Sequence, residues 1–396
     1  MSSPDKKSIG ARLRAAREAP PYWSRKTLAQ RLRAAAAPAD RAALPGVESL
    51  THMIKEWEAG KYVPRPDYRA LYARATGKGE TELFGDYPPA HGALWRPNGI
   101  NGSITPDDEE RLALATHRPT RLDTAALDAL STVLAGQRRL EDTIGSAPLI
   151  APVRAQLAVI ESLVNGARGT LRQRVVDVAS QWAQFAAWLH ASCRQLDEAD
   201  RLYDRAIVWA TEADVPDMAA TAWNMKGHTA WVRRAVGPMI GLSQAALRDR
   251  RATPGVRALA AQQEARGHAI TGDLDAMDRQ LDLAQTLTLE AAAAPDEEPP
   301  WIYFFDASMF ALQRARAYLY VPERAEAAAE LLEAGLAGMP TEMRRSEWIA
   351  HYLADLARVY RDFHEDGEAD RIINEVDQIA QATGSSILAR EVAALR

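Results

Sequence analysis

The chain has 396 residues, 47% of them apolar, a net charge of −5 and one cysteine, Cys193. That length calls for more than one folded unit, the apolar content excludes a disordered polymer, and the lone cysteine excludes an intrachain disulfide. Abundant Ala, Leu, Glu and Arg, with few clustered β-branched residues, predict an all-α fold. Met1–Gly10 lacks the apolar stretch of a secretory signal. The most apolar window read from the sequence, Trp301–Leu312, is too short to cross a bilayer and contains Asp306. A soluble, cytoplasmic chain with no membrane partner is the expectation.

Charge is unevenly divided. Residues 1–85 carry 16 Lys/Arg against 9 Asp/Glu, a net of +7, whereas the remainder carries 32 against 44, a net of −12. A basic head on an acidic body suits a polyanion-binding module joined to a different one, although basic faces are commonly just solvated.

In chain order, residues 8–85 read as five short helices. Ile9, Leu13 and Ala16 form an apolar stripe, Ser24 is placed to cap a second helix carrying Leu28, Ala29 and Leu32, and Pro45-Gly46 precedes a third. In that third helix Val47, Leu50, Ile54 and Trp57 share one face. Glu48, Thr51, His52 and Lys55 lie on the other, where they would reach base edges if the helix entered a major groove. Gly60 closes it and Pro64/Pro66 open a fourth; Glu80–Phe84 makes a fifth, ending at Gly85.

Ile54, Trp57, Glu58, Gly60 and Pro64 match the Ile-x-x-Trp-Glu-x-Gly pattern and following proline of the XRE/Cro helix-turn-helix regulators, which this region resembles over about 80 residues. Leu71, Ala75, Gly77 and Leu83-Phe84-Gly85 continue the likeness, and the Tyr68–Ala75 segment is similar to an actinobacterial subgroup. The resemblance implies a DNA-binding domain over residues 1–85, with double-stranded DNA as partner. One departure is the turn from Ala37 to Gly46, longer than the usual ~3–4 residues, which leaves the base-contacting set open. Phosphate contacts are expected from Ser24, Arg25 and Lys26 at a helix start, and from Lys61 and Arg65 beyond the third helix.

Residues 86–106, rich in Pro, Gly and Asn, read as a linker. From 107 to 396 the chain is predicted to form helix pairs. A small–bulky–small triplet recurs as Ala199/Tyr203/Ala206, Met239/Ser243/Ala246, Met277/Leu281/Ala284, Ala327/Leu331/Ala334 and Ala369/Ile373/Val376. Leu356-Ala357 and Tyr360 precede the last, and Gly272-Asp273 forms a turn before the third. These units resemble degenerate tetratricopeptide repeats, longer than the usual ~34 residues, and imply an α-solenoid serving sensing and dimerisation.

Alignment on the triplets places Gln184, Trp188, Asn224, His228, Trp231, Gln262, Arg266 and Arg358 on the inner face of the first helices. Amides can clamp a ligand's backbone, indoles can cover it and arginine can take a carboxylate. Trp188, Trp223 and Trp231 read equally as core. The layout is similar to Gram-positive peptide-sensing regulators, so the resemblance implies a signalling peptide, as in quorum sensing, with a small molecule as the other option.

Asp273, Asp275 and Asp278 lack the glycine and distal glutamate of a calcium loop and read as helix-start residues. His351 and His364 with Glu365 and Asp366 lack metal-ligand spacing. The sequence carries no P-loop, nucleophile elbow or dinucleotide fingerprint, so neither catalysis, a cofactor nor a metal is expected. The function so read is a homodimeric, ligand-responsive transcription regulator. An adaptor that binds a protein partner through its repeats, without DNA binding, is the alternative.

Overall fold

Every regular element among the described residues is helical, as the composition predicts. The computed structural model describes residues 6–36, 44–64, 66–84, 112 and 123–396. The chain divides into two units, Met1–Trp95 and Arg96–Arg396. The linker expected over 86–106 lies outside the described residues, as do Arg65 and residues 37–43 of the long turn.

In the first unit five helices surround one core: α1 (Lys6–Glu18), α2 (Arg25–Ala35), α3 (Val47–Glu58), α4 (Pro66–Thr76) and α5 (Glu80–Phe84). Ile9, Leu13, Leu28, Leu32, Leu50, Ile54 and Trp57 meet Tyr72 and Phe84 in it. Trp57 packs 5.1 Å from the Tyr68 ring and 6.0 Å from Tyr72. Two glycines let α1 lie against the end of α3. A Cβ on Gly10 would stand 2.7 Å from the Glu58 carbonyl oxygen, and Gly60 adopts φ +69°, where L side chains are strained. Gly60 thereby closes α3, with Lys61 N–H donating to the Glu56 carbonyl at 3.1 Å.

The second unit begins with α6 (Thr124–Ile144) and α7 (Ile150–Gly166). Five antiparallel pairs follow: α8 (Arg172–Ser192) with α9 (Leu196–Glu212), α10 (Pro216–Val232) with α11 (Val236–Arg248), and α12 (Pro254–Thr271) with α13 (Leu274–Ala293). The fourth pairs α14 (Ala307–Tyr318) with α15 (Ala325–Gly338); the fifth, after the short α16 (Thr341–Arg344), pairs α17 (Glu347–Asp362) with α18 (Asp366–Thr383). The last helix, α19 (Ser386–Leu395), packs on this fifth pair.

One turn chemistry recurs between paired elements. Arg194, Asp214, Arg234, Gly272 and His364 all adopt positive φ, between 53° and 78°. After each, the next N–H reaches back five residues: Gln195 to His190, Val215 to Ala210, Ala235 to Ala230, Asp273 to His268 and Glu365 to Tyr360, at 2.8–3.0 Å. A left-handed residue at this point satisfies helix-end carbonyls while reversing the chain. Only Gly272 among the five is a glycine, so the sequence announces just one of these turns.

Four predicted triplets are buried throughout, from Ala199/Tyr203/Ala206 to Ala369/Ile373/Val376. The fourth is displaced by one residue. Ala328, Leu332 and Gly335 are the buried set, and Ala327, Leu331 and Ala334 sit beside it. A Cβ on Gly335 would fall 2.7 Å from Leu312, so α15 can approach α14 only there. In the alanine-rich stretch 325–338, neighbouring registers look alike.

The sequence predicts a solenoid with the ligand residues on its inner face; the second unit also closes on itself. Helix α6 contacts α16, α17 and α18, so the first helix of the series meets the last pair. Trp348 Nε1 donates to Asp142 at 2.9 Å, and the Ser146 N–H to Glu347 at 3.2 Å. A second departure concerns apolar length. The segment Ala147–Gly166, not Trp301–Leu312, is long and apolar enough to cross a membrane by length and composition. Here it packs against α8, burying Val153, Leu157 and Ile160, while Arg154 pairs with Glu198 and Glu161 with Arg205 on α9. Asp273 caps α13, accepting from Ala276 N–H at 3.0 Å, and Asp278 pairs with Arg324 at 2.5 Å.

Candidate functional site

On the first unit, α3 presents the face opposite its buried stripe. Glu48, His52 and Lys55 are exposed, and the His52 side chain is 70% accessible. Thr51 is half-buried, its hydroxyl donating to the Val47 carbonyl at 2.7 Å. These four edge a shallow depression whose other walls are Arg17, Glu18 and Arg25. Glu58 organises that wall from below. Its buried carboxylate accepts from Arg17 at 2.5 and 3.1 Å and from Arg25 at 2.8 Å.

Arg25 is therefore held by Glu58 rather than free, and its side chain remains 35% accessible. Ser24 uses its hydroxyl as the α2 cap, accepting from Thr27 N–H at 3.0 Å, and Lys26 is exposed. Lys61 donates to Glu56 at 2.7 Å, and that hydrogen bond holds the Glu56 carboxyl below its ordinary range. Arg65 is outside the described residues. The motif residue Glu58 was read only as a match; its task of fixing two arginines needs the fold.

Inside the second unit, the ring of helices lines a partly open cavity of about 160 Å³. Gln184, Trp188, Asn224, His228 and Arg266 of the predicted inner face line it. Trp231 and Arg358 line an adjoining cavity of about 500 Å³, which shares Glu141, Trp188, His228, Arg316, Trp348 and His351 with the first. Gln262 is a correction. It lines neither cavity, because its amide turns toward α14 and donates to the Phe310 carbonyl at 2.9 Å.

Aromatic walls and buried cations set the cavity's chemistry. Arg266 is 2% exposed, lies 4.3 Å over the Trp231 ring, and bonds to Gln263 at 3.3 Å. Burial, helped by the nearby Arg316 charge, lowers its pKa to about 10. Arg138, 7% exposed, donates to Gln184 at 3.3 Å, and burial likewise lowers it to about 10. Arg316 differs, being neutralised by Asp355 at 2.7 Å and stacked 3.8 Å from Tyr352. His228 stands between Trp188 and Trp231, with ring centroids 6.2 and 5.2 Å away. Burial and the Arg266 charge hold it well below its ordinary pKa, hence neutral.

Carboxylates line the cavity as well. Burial raises Glu141 to about 8, although Ser146 donates to it at 2.6 Å. Asp142 accepts from Tyr303 at 2.7 Å as well as from Trp348. His351 pairs with Glu391 at 2.7 Å, and Arg358 is taken up by Asp355 and the same glutamate. Thus Arg358 is a structural cation rather than a free anion anchor.

Several wall residues escape repeat logic. Trp301, Ile302, Tyr303 and Phe304 come from the irregular, proline-bearing segment 294–306 between α13 and α14. Arg138 and Glu141 come from α6, outside the repeats. A signal for the latter exists: on α6 the buried stripe Leu130, Val133, Leu134 turns polar at Gln137, Arg138 and Glu141. Polar side chains on a buried face mark a lined space or a network.

No protein-family model matches the chain, and no curated protein matches it in sequence. Among solved structures, the apo form of the competence regulator ComR from Streptococcus vestibularis matches at 11% identity, covering 89% of this chain and 98% of that one, with a TM-score of 0.30. The apo form of ComR from S. thermophilus matches at 12% identity over 92% and 99%, with a TM-score of 0.29. Likenesses at such scores carry no functional argument.

Proposed function

We propose that this chain is a cytoplasmic transcription regulator of the XRE helix-turn-helix type, acting by binding rather than catalysis. In this reading the first unit binds duplex DNA through α3 and the second binds a ligand that alters that binding. The observation that carries the DNA half is the division of α3. Leu50, Ile54 and Trp57 are buried, while Glu48, His52 and Lys55 stand exposed beside an arginine pair fixed by Glu58. Such a helix can enter a major groove, and cations at its border meet phosphates. The sensor half is supported by a cavity lined with buried arginines, a placement that costs desolvation unless an anion compensates it. A ligand shifts DNA affinity only by binding two states of the chain differently, typically by ~1–3 kcal/mol.

The test is an electrophoretic shift of the full chain on DNA from upstream of its own gene. Retarded duplex that disperses as salt rises supports the reading. Absence of any shift at low salt, together with capture of a protein partner by the second unit, favours the adaptor alternative.

A further inference from the structure

The ligand half of the proposed function can be taken further, to chemical class. We propose that the cavity of the second unit beside Arg138, Asn224 and Arg266 binds a compact aromatic carboxylic acid bearing one hydrogen-bond donor, rather than an extended peptide. This rests on the reading that the second unit is a sensor, and not on DNA binding.

Size comes first. The ring closure between α6 and α17, made by Trp348 to Asp142 and Ser146 to Glu347, bounds a compartment of about 160 Å³ around Arg138, Asn224 and Arg266, beside the adjoining one of about 500 Å³. A cavity of about 150 Å³ accepts a benzene ring. An extended peptide requires a long open groove, whereas this compartment is bordered by Trp301, Tyr303 and Phe304 of segment 294–306 and is of single-ring size.

Charge comes second. Arg266 and Arg138 both face the cavity, both are more than nine-tenths buried, and neither has a carboxylate within ion-pair distance among the described residues. No protein acceptor meets Arg266 Nε. Arg316, the neighbouring cation, already has Asp355. Buried guanidinium without a counter-ion is expensive, and a carboxylate satisfies it with charge-assisted hydrogen bonds.

The donor follows from Asn224. Its Oδ1 is buried, meets no protein donor, and belongs to a side chain lining the same cavity. A ligand N–H or O–H would complete it. Aromatic character follows from Trp188, Trp301 and Tyr352 around the space.

The probes are 4-hydroxyphenylacetate, its neutral amide, and acetyl-(Ala)4-Phe with a free carboxylate, titrated calorimetrically into the full chain without DNA. The acid is expected to bind saturably, the amide about tenfold or more weaker, and the peptide weaker still. Arg266→Met is expected to lose about tenfold in acid affinity while leaving amide affinity unchanged, with wild-type helical circular dichroism as the folding control. The acid–amide comparison needs no variant and decides the charge claim even if Arg266→Met does not fold. Equal binding of acid and amide, no binding of the acid, or preference for the peptide would each overturn the proposal. Because DNA is absent, a chain that shifts DNA yet binds no acid refutes this inference alone.

Discussion

The Arg17 guanidinium donates to both carboxylate oxygens of Glu58, at 2.5 and 3.1 Å, forty-one positions away, with the glutamate side chain wholly shielded from solvent. The pair joins α1 to the end of α3, and Arg25 joins α2 to the same carboxylate. Hydrogen bonding to Glu58 raises the Arg17 pKa above its ordinary value. Glu58→Ala leaves Arg17 with only the exposed Glu18 as counter-ion and should cost about 3 kcal/mol, the lower end for breaking a buried pair. Thermal melting of the full chain should show an early transition in the variant. Unchanged melting would mean the ion pair holds nothing.

Trp57→Ala acts on the same helix through packing. The indole is buried against Tyr68 and Tyr72, and truncating such a side chain costs about 3–5 kcal/mol. Intrinsic fluorescence and proteolysis of the variant should report an unfolded first unit. Wild-type protease resistance would place Trp57 outside the core.

Glu141 should make stability depend on pH. Its folded-state pKa, about 8, lies above the ordinary 4.5 because burial disfavours the charged form. The folded chain thus retains a proton that the unfolded chain releases. The stability this gives is present at low pH and is lost as pH rises from about 5 to about 8. Glu141→Gln cannot ionise, so its melting temperature should gain several degrees on wild type across that window. Parallel pH profiles for the two proteins would show that Glu141 is already charged.

Helix phase in the first unit is legible because its second and third helices are short and amphipathic with marked ends: Ser24, Gly60 and the Leu50/Ile54/Trp57 stripe all stand where periodicity puts them. The repeats were legible as burial, with one register slip at Gly335 where alanines on every face erase the phase. Ring closure was not. It depends on Trp348 meeting Asp142 across more than 200 residues, and no local spacing encodes that contact. The cavity followed the same divide. Asn224, His228 and Arg266 sit on repeat helices, whereas Arg138 and the Trp301–Phe304 wall come from elements with no repeat to align. Gln262 failed because one helical step separates it from Gln263, which does line the cavity.

Paired half-sites suit a two-fold partner, since a lone helix-turn-helix head holds a half-site weakly. Light scattering of the full chain should therefore give about twice the 43.5 kDa chain mass, most clearly with DNA present. A monomer with and without duplex would contradict a dimeric regulator.

The central claim is that α3 of the first unit binds duplex DNA. The most direct measurement is fluorescence anisotropy of the full chain on labelled DNA from upstream of its own gene, repeated across a salt series and with Lys55→Ala. Binding should weaken steeply with salt, in proportion to the phosphates contacted. If Lys55 meets a phosphate, its variant should flatten the log–log slope by about one. If it meets a base, the variant should lose affinity on that duplex while keeping the slope. No binding at low salt, or a Lys55→Ala variant equal to wild type in both affinity and slope, would contradict the account.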